Sequence, residues 1–439
     1  MPMPVFVELI NQNLTSMKNY LLLLLAMLSI VVAKAQSDDA VTLDFYGFVR
    51  VDAYMDTYKG VDAGHDIFYL LPAYGVKNGA EFNNQLSSNI SAMASRLGVR
   101  ITFPEVLKAK ATGLLEFDFA GNLKSDPTLF RIRQAYSLFT WEKSSLLVGH
   151  TWHPFFGGSC LPIVAGLNTG APFSVFNRSP MIRYNMKFGG LTISASAVSQ
   201  MQYNNVGIDV AEFSATANQA KRNGVIPELV LSTEWSKNAI TLGVGAEYNR
   251  IKPRMLITES IADGKEISAI ADEYLGSSAF MAYGRYKKNN LTILLKGYLG
   301  DNMQNLTLPG GYGVASLDST TGKETYTSYK TYTSALSIVY GQKWQAGLFA
   351  GYGANMGTND ALISVAGKAK TYGLFTSMQS MYRVAPHISL NLPKFRLVAE
   401  YEMTTANYGT GTINLNDGLF ATSHAATNNR VIVVMTQYF

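Results

Sequence analysis

Arginine is where the chemistry of this sequence concentrates. Arg50, Arg96, Arg100, Arg131, Arg133 and Arg183 all fall in the first half of a 439-residue chain, with Lys110 among them. Asp44, Asp52, Glu116 and Asp118 are interspersed in the same stretches. Arg131 and Arg133 are two positions apart, as are Glu116 and Asp118, so on a strand each pair shares one face. A guanidinium fork matches a carboxylate or phosphate with two parallel hydrogen bonds. Facing a narrow aqueous space, such a set draws anions; paired with Glu116, Asp118 and Asp52, it braces a wall. The spacing is compatible with both.

Other chemistry finds little purchase. "HTWH" at His150 to His153 sets two histidines three apart, which on a strand places them on opposite faces and argues against a shared metal. The sequence has no G-x-S-x-G, no H-E-x-x-H and no Walker-type loop. Cys160 is the single cysteine, so there is no internal disulfide and no thiolate metal site. No cofactor and no metal centre is implied. The formal net charge of +5, spread over this length, leaves no footprint of nucleic-acid binding.

The elements that carry these residues are strands. "VTLDFYGFVRVDAY" alternates from Val41 onward: Leu43, Phe45, Val49 and Val51 share one face, and Asp44, Tyr46, Arg50 and Asp52 the other. Later strands come in pairs around short polar or glycine-containing links. These are "PEVL" near Pro104, "EK" at Lys143, "GG" at Gly190, "KN" at Asn238, "NN" at Asn290, "QK" at Lys343 and "PK" at Pro393. Between the pairs the connections are long, as from Asp56 to Met93, His153 to Pro180, Met201 to Ile226 and Gly409 to Asn428. The pattern predicts about sixteen strands, with strict alternation of short turn and long loop. Composition agrees: 47% hydrophobic but only 15% charged, with 25 Tyr, 22 Phe and 38 Gly. An all-β, transmembrane antiparallel barrel meets these demands, apolar residues outward and charged residues toward a wet lumen. Its short turns would face the periplasm and its long loops the exterior. The final strand, "NRVIVVMTQYF", would close the barrel against the Val41 strand and leave no open edge.

The first 35 residues stand apart. "MKNYLLLLLAMLSIVVAKAQ" has Lys18, an apolar run from Tyr20 to Val32 and small residues Ala33 and Ala35 before Gln36, the form of a cleaved secretory signal. Residues 17–35 are therefore expected to be a signal peptide, 1–16 an upstream over-extension and 36–439 the barrel. The first strand follows so closely that no plug domain fits before it, which argues against a gated, plugged receptor.

One loop is unusual. "PFFGGSCLPIVAGLNTGAPFSVFNRSP", after the fifth strand, is long, apolar and rich in Gly and Pro. Such a segment packs inside something: a lumen, a lid or a subunit contact.

The strand count, the terminal Phe439, "SRLGVR" at Ser95–Arg100 and "LLVGHTWHPF" at Leu146–Phe155 together resemble bacterial outer-membrane general porins. Within that group they look like the DcaP-like trimeric porins. The aromatic such porins carry two places before their end is here Gln437. The resemblance implies that the loop folds into the lumen as a constriction, with Asn168, Asn177 and Arg178 at its narrowest point. It implies passive diffusion of small hydrophilic solutes, a homotrimer, and outer-membrane lipid and lipopolysaccharide as surroundings. The lumen set would be Arg50, Arg96, Arg100, Glu116, Asp118, Arg131, Arg133 and Arg183, favouring anions such as carboxylates if it selects at all. The alternative is a barrel enzyme of lipase or protease type with a site on its rim.

Overall fold

The computed structural model describes residues 41–62, 67–121, 129–208, 228–260, 266–365 and 367–439. The expected segments 1–16 and 17–35 lie outside them.

Sixteen antiparallel strands close into one barrel. They are β1 (Thr42–Asp56), β2 (Arg96–Val106), β3 (Ala109–Asp118), β4 (Arg131–Thr140), β5 (Ser144–Trp152), β6 (Arg178–Phe188), β7 (Leu191–Val198) and β8 (Glu228–Lys237). There follow β9 (Ile240–Ile251), β10 (Leu275–Lys288), β11 (Leu291–Asp301), β12 (Glu324–Gly341), β13 (Trp344–Thr358), β14 (Met378–Leu392), β15 (Phe395–Ile413) and β16 (Phe420–Tyr438). Each pairs with its sequence neighbour. β1 then pairs with β16 from Phe48↔Tyr438 to Asp56↔Arg430, so every strand has two partners and no edge is left. The stretch Ser87–Ser91 continues β2 upward along β1 after a break at residues 92–95.

Alternation decides which side chains face out. On β1, Phe45 and Val49 are exposed while Asp52 is buried; on β16, Val431, Val433 and Met435 are exposed while Ile432 and Val434 are not. The outer face carries exposed aliphatic residues such as Leu97, Leu229, Leu242, Val244, Leu295 and Ile388. Near the short turns it carries aromatics instead: Phe188, Trp235, Tyr286, Tyr340, Trp344 and Phe439. An apolar band edged by aromatic rings fits a hydrocarbon slab with its interface.

The turns follow local chemistry. Asn238, Asn289 and Lys394 take positive φ in two-residue links, where Asn is well tolerated. Two boundaries differ from the sequence expectation. The first hairpin turns at Leu107–Lys108, both at positive φ, and not near Pro104; a register shift between Phe103 and Val106 lets the strand continue past Pro104. The last connection is short, because β15 and β16 run on to Ile413 and from Phe420 through cross-strand Thr405–Thr427 and Thr410–Thr422 hydroxyl pairs.

Candidate functional site: a loop pinned across an arginine-rich lumen

The connection from His153 to Asn177 does not stand above the barrel. It enters the lumen and is held there by wall side chains that grip its main chain. Arg50 on β1 donates to the Ala165 carbonyl (2.8 Å), and Glu400 on β15 accepts from the Ala165 amide (2.8 Å). Lys296 and Tyr298 on β11 donate to the carbonyls of Phe156 (2.6 Å) and Phe155 (3.2 Å). Arg285 on β10 donates to the Ser159 carbonyl, and the Ser159 hydroxyl donates to Glu234 on β8. Ser337 on β12 accepts from the Ile163 amide (3.2 Å). Arg383 on β14 donates to the Ala171 carbonyl (3.0 Å) and to the Leu70 carbonyl (2.5 Å), so it clamps a second inward segment as well. These anchors come from β1 and from strands between β8 and β15. A loop tied to β1, β8, β10, β11, β12, β14 and β15 crosses the lumen.

Apolar packing finishes the job. Phe173 lies against Phe349 of β13, and Phe68, Leu70, Leu71, Phe156 and Phe176 join them in one buried cluster. The Trp152 and Phe156 rings stack at 3.7 Å and 5°. A buried aromatic pair of this sort contributes about 0.5–1.5 kcal/mol beyond its burial. Burial also raises the Cys160 thiol above its ordinary value, which keeps it a packed, protonated side chain.

On strands that bear none of these anchors, β2, β4 and β6 carry the remaining arginines the sequence singled out, and β3 carries Glu116 and Asp118. Arg133 bonds Glu116 (2.9 Å) and Asp118 (2.8 Å), and all three are buried. Arg131 makes a bidentate pair with Asp118, both contacts at 2.8 Å. Arg96 stands 3.6 Å from Glu116, which also accepts from Tyr46 (3.0 Å). Three guanidinium groups thus share two carboxylates, and Arg96 and Arg131 keep part of their side chains open, at 19% and 22% exposure. Arg50 pairs with Asp52. Arg100 pairs with Asp44 at 2.9 Å near the turn end, where both are exposed. Arg183 has no carboxylate partner among the described residues; it donates to the Trp152 carbonyl (2.7 Å). Lys110 is exposed beside the first short turn.

The loop residues singled out for the narrowest point, Asn168, Asn177 and Arg178, are all buried. Asn168 is buried, donating to the Tyr69 carbonyl (2.6 Å) and accepting from the Gly170 amide (3.1 Å). Asn177 is buried, bonded to the Asn305 carbonyl and the Ser179 hydroxyl. Arg178 is buried over Trp152 at 4.8 Å; its Nε donates to Gln202 (2.8 Å), and neither terminal nitrogen has a hydrogen-bond partner among the described residues. The two amides shape the loop through these bonds. Sequence reading stopped its inward set at the first six strands and so missed Arg285, Lys296, Arg383 and Glu400. Alternation alone would have found them: Lys296 and Tyr298 share a face opposite exposed Leu295 and Leu299.

His153 begins the loop. It caps a short 3-10 turn by accepting from the Phe155 amide (3.2 Å), and its ring meets two carboxylates from β8 and β9. Burial pushes its pKa down to about 4, so the ring is neutral at physiological pH. The "HTWH" spacing argues only against a metal shared by His150 and His153. It says nothing of these carboxylates, which lie far along the chain.

No protein-family model matches the sequence, and a search of curated proteins finds no match either. Solved structures do match. The chain is similar to the outer membrane channel DcaP of Acinetobacter baumannii, with 16% identity and a TM-score of 0.63 over 92% of this chain and 99% of that one. It is also similar to OmpT, an outer membrane protein of Vibrio cholerae, with 13% identity and a TM-score of 0.53 over 92% of this chain and 100% of that one. A trimer form of that OmpT matches with 13% identity and a TM-score of 0.53 over 91% and 100%. At these identities the likeness speaks to the fold: a sixteen-stranded barrel built as these outer-membrane proteins are built.

Proposed function

We propose that this protein is an outer-membrane porin of a Gram-negative bacterium that passes small hydrophilic solutes by diffusion and favours anions such as small carboxylates. The observation that carries the reading is the loop pinned across a lumen on whose wall positive charge exceeds negative. A wall-to-wall loop narrows a passage without sealing it by a separate domain. In a narrow passage with poorly polarisable walls, the fields of Arg96, Arg131 and Arg133 add, and the two carboxylates cancel only part of them. The apolar band with aromatic edges and the likeness to an outer-membrane channel support the membrane setting.

The protein is exported through a leader at residues 17–35. It sits with its short turns in the periplasm and its long loops outside, among lipid and lipopolysaccharide. It assembles as a homotrimer, a reading supported by a trimer form among the structures of similar fold. Its work is transport and not catalysis, and it needs no cofactor. Planar-bilayer recording with an ion gradient tests the proposal. Stepwise conductance with a reversal potential on the anion side is the expected result. Insertion without conductance, or cation preference at low salt, overturns it.

A further inference from the structure

At the root of the loop, three ligand-type atoms converge. His153 follows β5, Glu228 opens β8 and Glu247 lies on β9. Glu247 is directly across from Val230, so Glu228 is its diagonal neighbour on the same inward face. The side chains of His153, Glu228 and Glu247 are 0%, 2% and 1% exposed. His153 Nε2 stands 3.4 Å from Glu228 Oε2 and 3.8 Å from Glu247 Oε2, and the three atoms lie within 4.8 Å of one another. None of the three has a hydrogen-bond partner among the described residues. The other carboxylate oxygens are fixed: Asn305 Nδ2 donates to Glu228 Oε1 (2.7 Å) and to Glu247 Oε1 (3.0 Å). One amide thus orients both carboxylates and turns their free oxygens toward the imidazole. Two carboxylates this close, out of water, need positive charge between them.

We propose that His153, Glu228 and Glu247 bind one divalent transition-metal cation. Ligand atoms about 2.0–2.2 Å from a common centre stand roughly 3.3–3.8 Å apart at tetrahedral or somewhat wider angles, which matches the two imidazole–carboxylate separations of 3.4 and 3.8 Å. One imidazole nitrogen with two carboxylate oxygens suits Zn²⁺ or Mn²⁺ better than the all-oxygen preference of Ca²⁺ and Mg²⁺. Asn305 is the outer partner that holds the ligands in place. His153 Nδ1 accepts from the Phe155 amide (3.2 Å), so the side chain that offers Nε2 to the metal also caps the first turn of the loop.

The test uses the whole barrel, refolded in detergent, incubated separately with Zn²⁺, Mn²⁺ and Ca²⁺, desalted and assayed for bound metal. Retention of about one Zn²⁺ or Mn²⁺ per chain is expected, together with a raised unfolding temperature that a chelator reverses. Co²⁺ should give a visible d–d spectrum. His153→Asn can still cap the turn, because its side-chain oxygen can accept the Phe155 amide. It should weaken binding roughly tenfold or more and abolish the Co²⁺ spectrum, as should Glu228→Gln. Trace metal in the wild type, or equal metal content in wild type and His153→Asn, overturns the proposal; the three groups then share a proton and hold no ion. If Glu228→Gln does not fold, the wild-type stoichiometry, the Co²⁺ spectrum and His153→Asn still decide.

Discussion

Replacing Arg96 and Arg131 together by Gln should turn the selectivity of the pore. The choice of residues follows from the ion pairs. Arg133 alone holds both Glu116 and Asp118, so it stays and keeps these buried carboxylates paired. Removing Arg133 as well would strand two buried charges, at a cost of about 3–5 kcal/mol. With Arg133 kept, this part of the wall goes from three cations against two anions to one against two. An ion passing about 6 Å from one such charge in water feels about 0.7 kcal/mol. At 0.1 M salt, with a Debye length of about 10 Å, roughly 0.4 kcal/mol of that survives. Anion and cation feel it with opposite sign, so two charges move the anion-to-cation ratio by about 1.5 kcal/mol, or roughly tenfold. At 1 M, with a Debye length of about 3 Å, the same sum falls to about twofold. Reversal potentials across a KCl gradient read both figures, with heat-modified gel mobility as the check on folding. A folded double variant whose ratio moves less than about twofold at 0.1 M, or equally at both salts, refutes the idea that these arginines act on the passage.

Other outcomes follow from the same geometry. Arg383→Ala removes the clamp on Ala171 and Leu70 and leaves Glu402 without the cation 3.4 Å away; single channels should become larger and noisier and the barrel about 3–5 kcal/mol less stable, and unchanged conductance would show that the loop holds itself. Cysteines at exposed Thr320 and Asn416, on the loop end, should label with an impermeant reagent on whole cells, and ones at Glu142 and Lys343, on the turn end, should not; the reverse pattern inverts the topology. Deleting Phe439, whose amide donates to the Gly47 carbonyl (3.2 Å) where the barrel closes, should lower the yield of heat-modifiable barrel, and normal yield would deny that seam its role.

The strands were legible because a membrane barrel repeats one rule: apolar out, polar in, at period two. Val431, Val433 and Met435 announce it plainly. Boundaries were less so. Pro104 reads as a turn residue, yet it sits in the strand where a register shift accommodates it. The stretch from Gly409 to Asn428 reads as a long polar connection, yet its Thr422 and Thr427 pair hydroxyl to hydroxyl with Thr410 and Thr405 across two long strands. The loop's apolar composition did signal an interior segment. What no local pattern could signal was which of its groups would be consumed in shaping it. Asn168 and Asn177 look like offered amides and are buried in bonds to backbone carbonyls. The meeting of His153 with Glu228 and Glu247 depends on barrel closure and register, which bring together residues about 75 to 94 positions apart in the chain.

The wall holds the crossing loop chiefly by its carbonyls: those of Phe155, Phe156, Ser159, Ala165 and Ala171. Every amino acid brings the same carbonyl, so the grip is nearly blind to the side chains it holds. The barrel thus works as a socket and the loop as a cartridge. Side chains between the anchors that the buried clusters do not take up, such as exposed Leu161, are open to exchange without unseating the segment. Descendants of this chain have a short route to new cargo, in which bore and lining change by a few substitutions while the grip stays. A designer has the same route: keep Arg50, Arg285, Lys296 and Arg383, and rewrite what lies between.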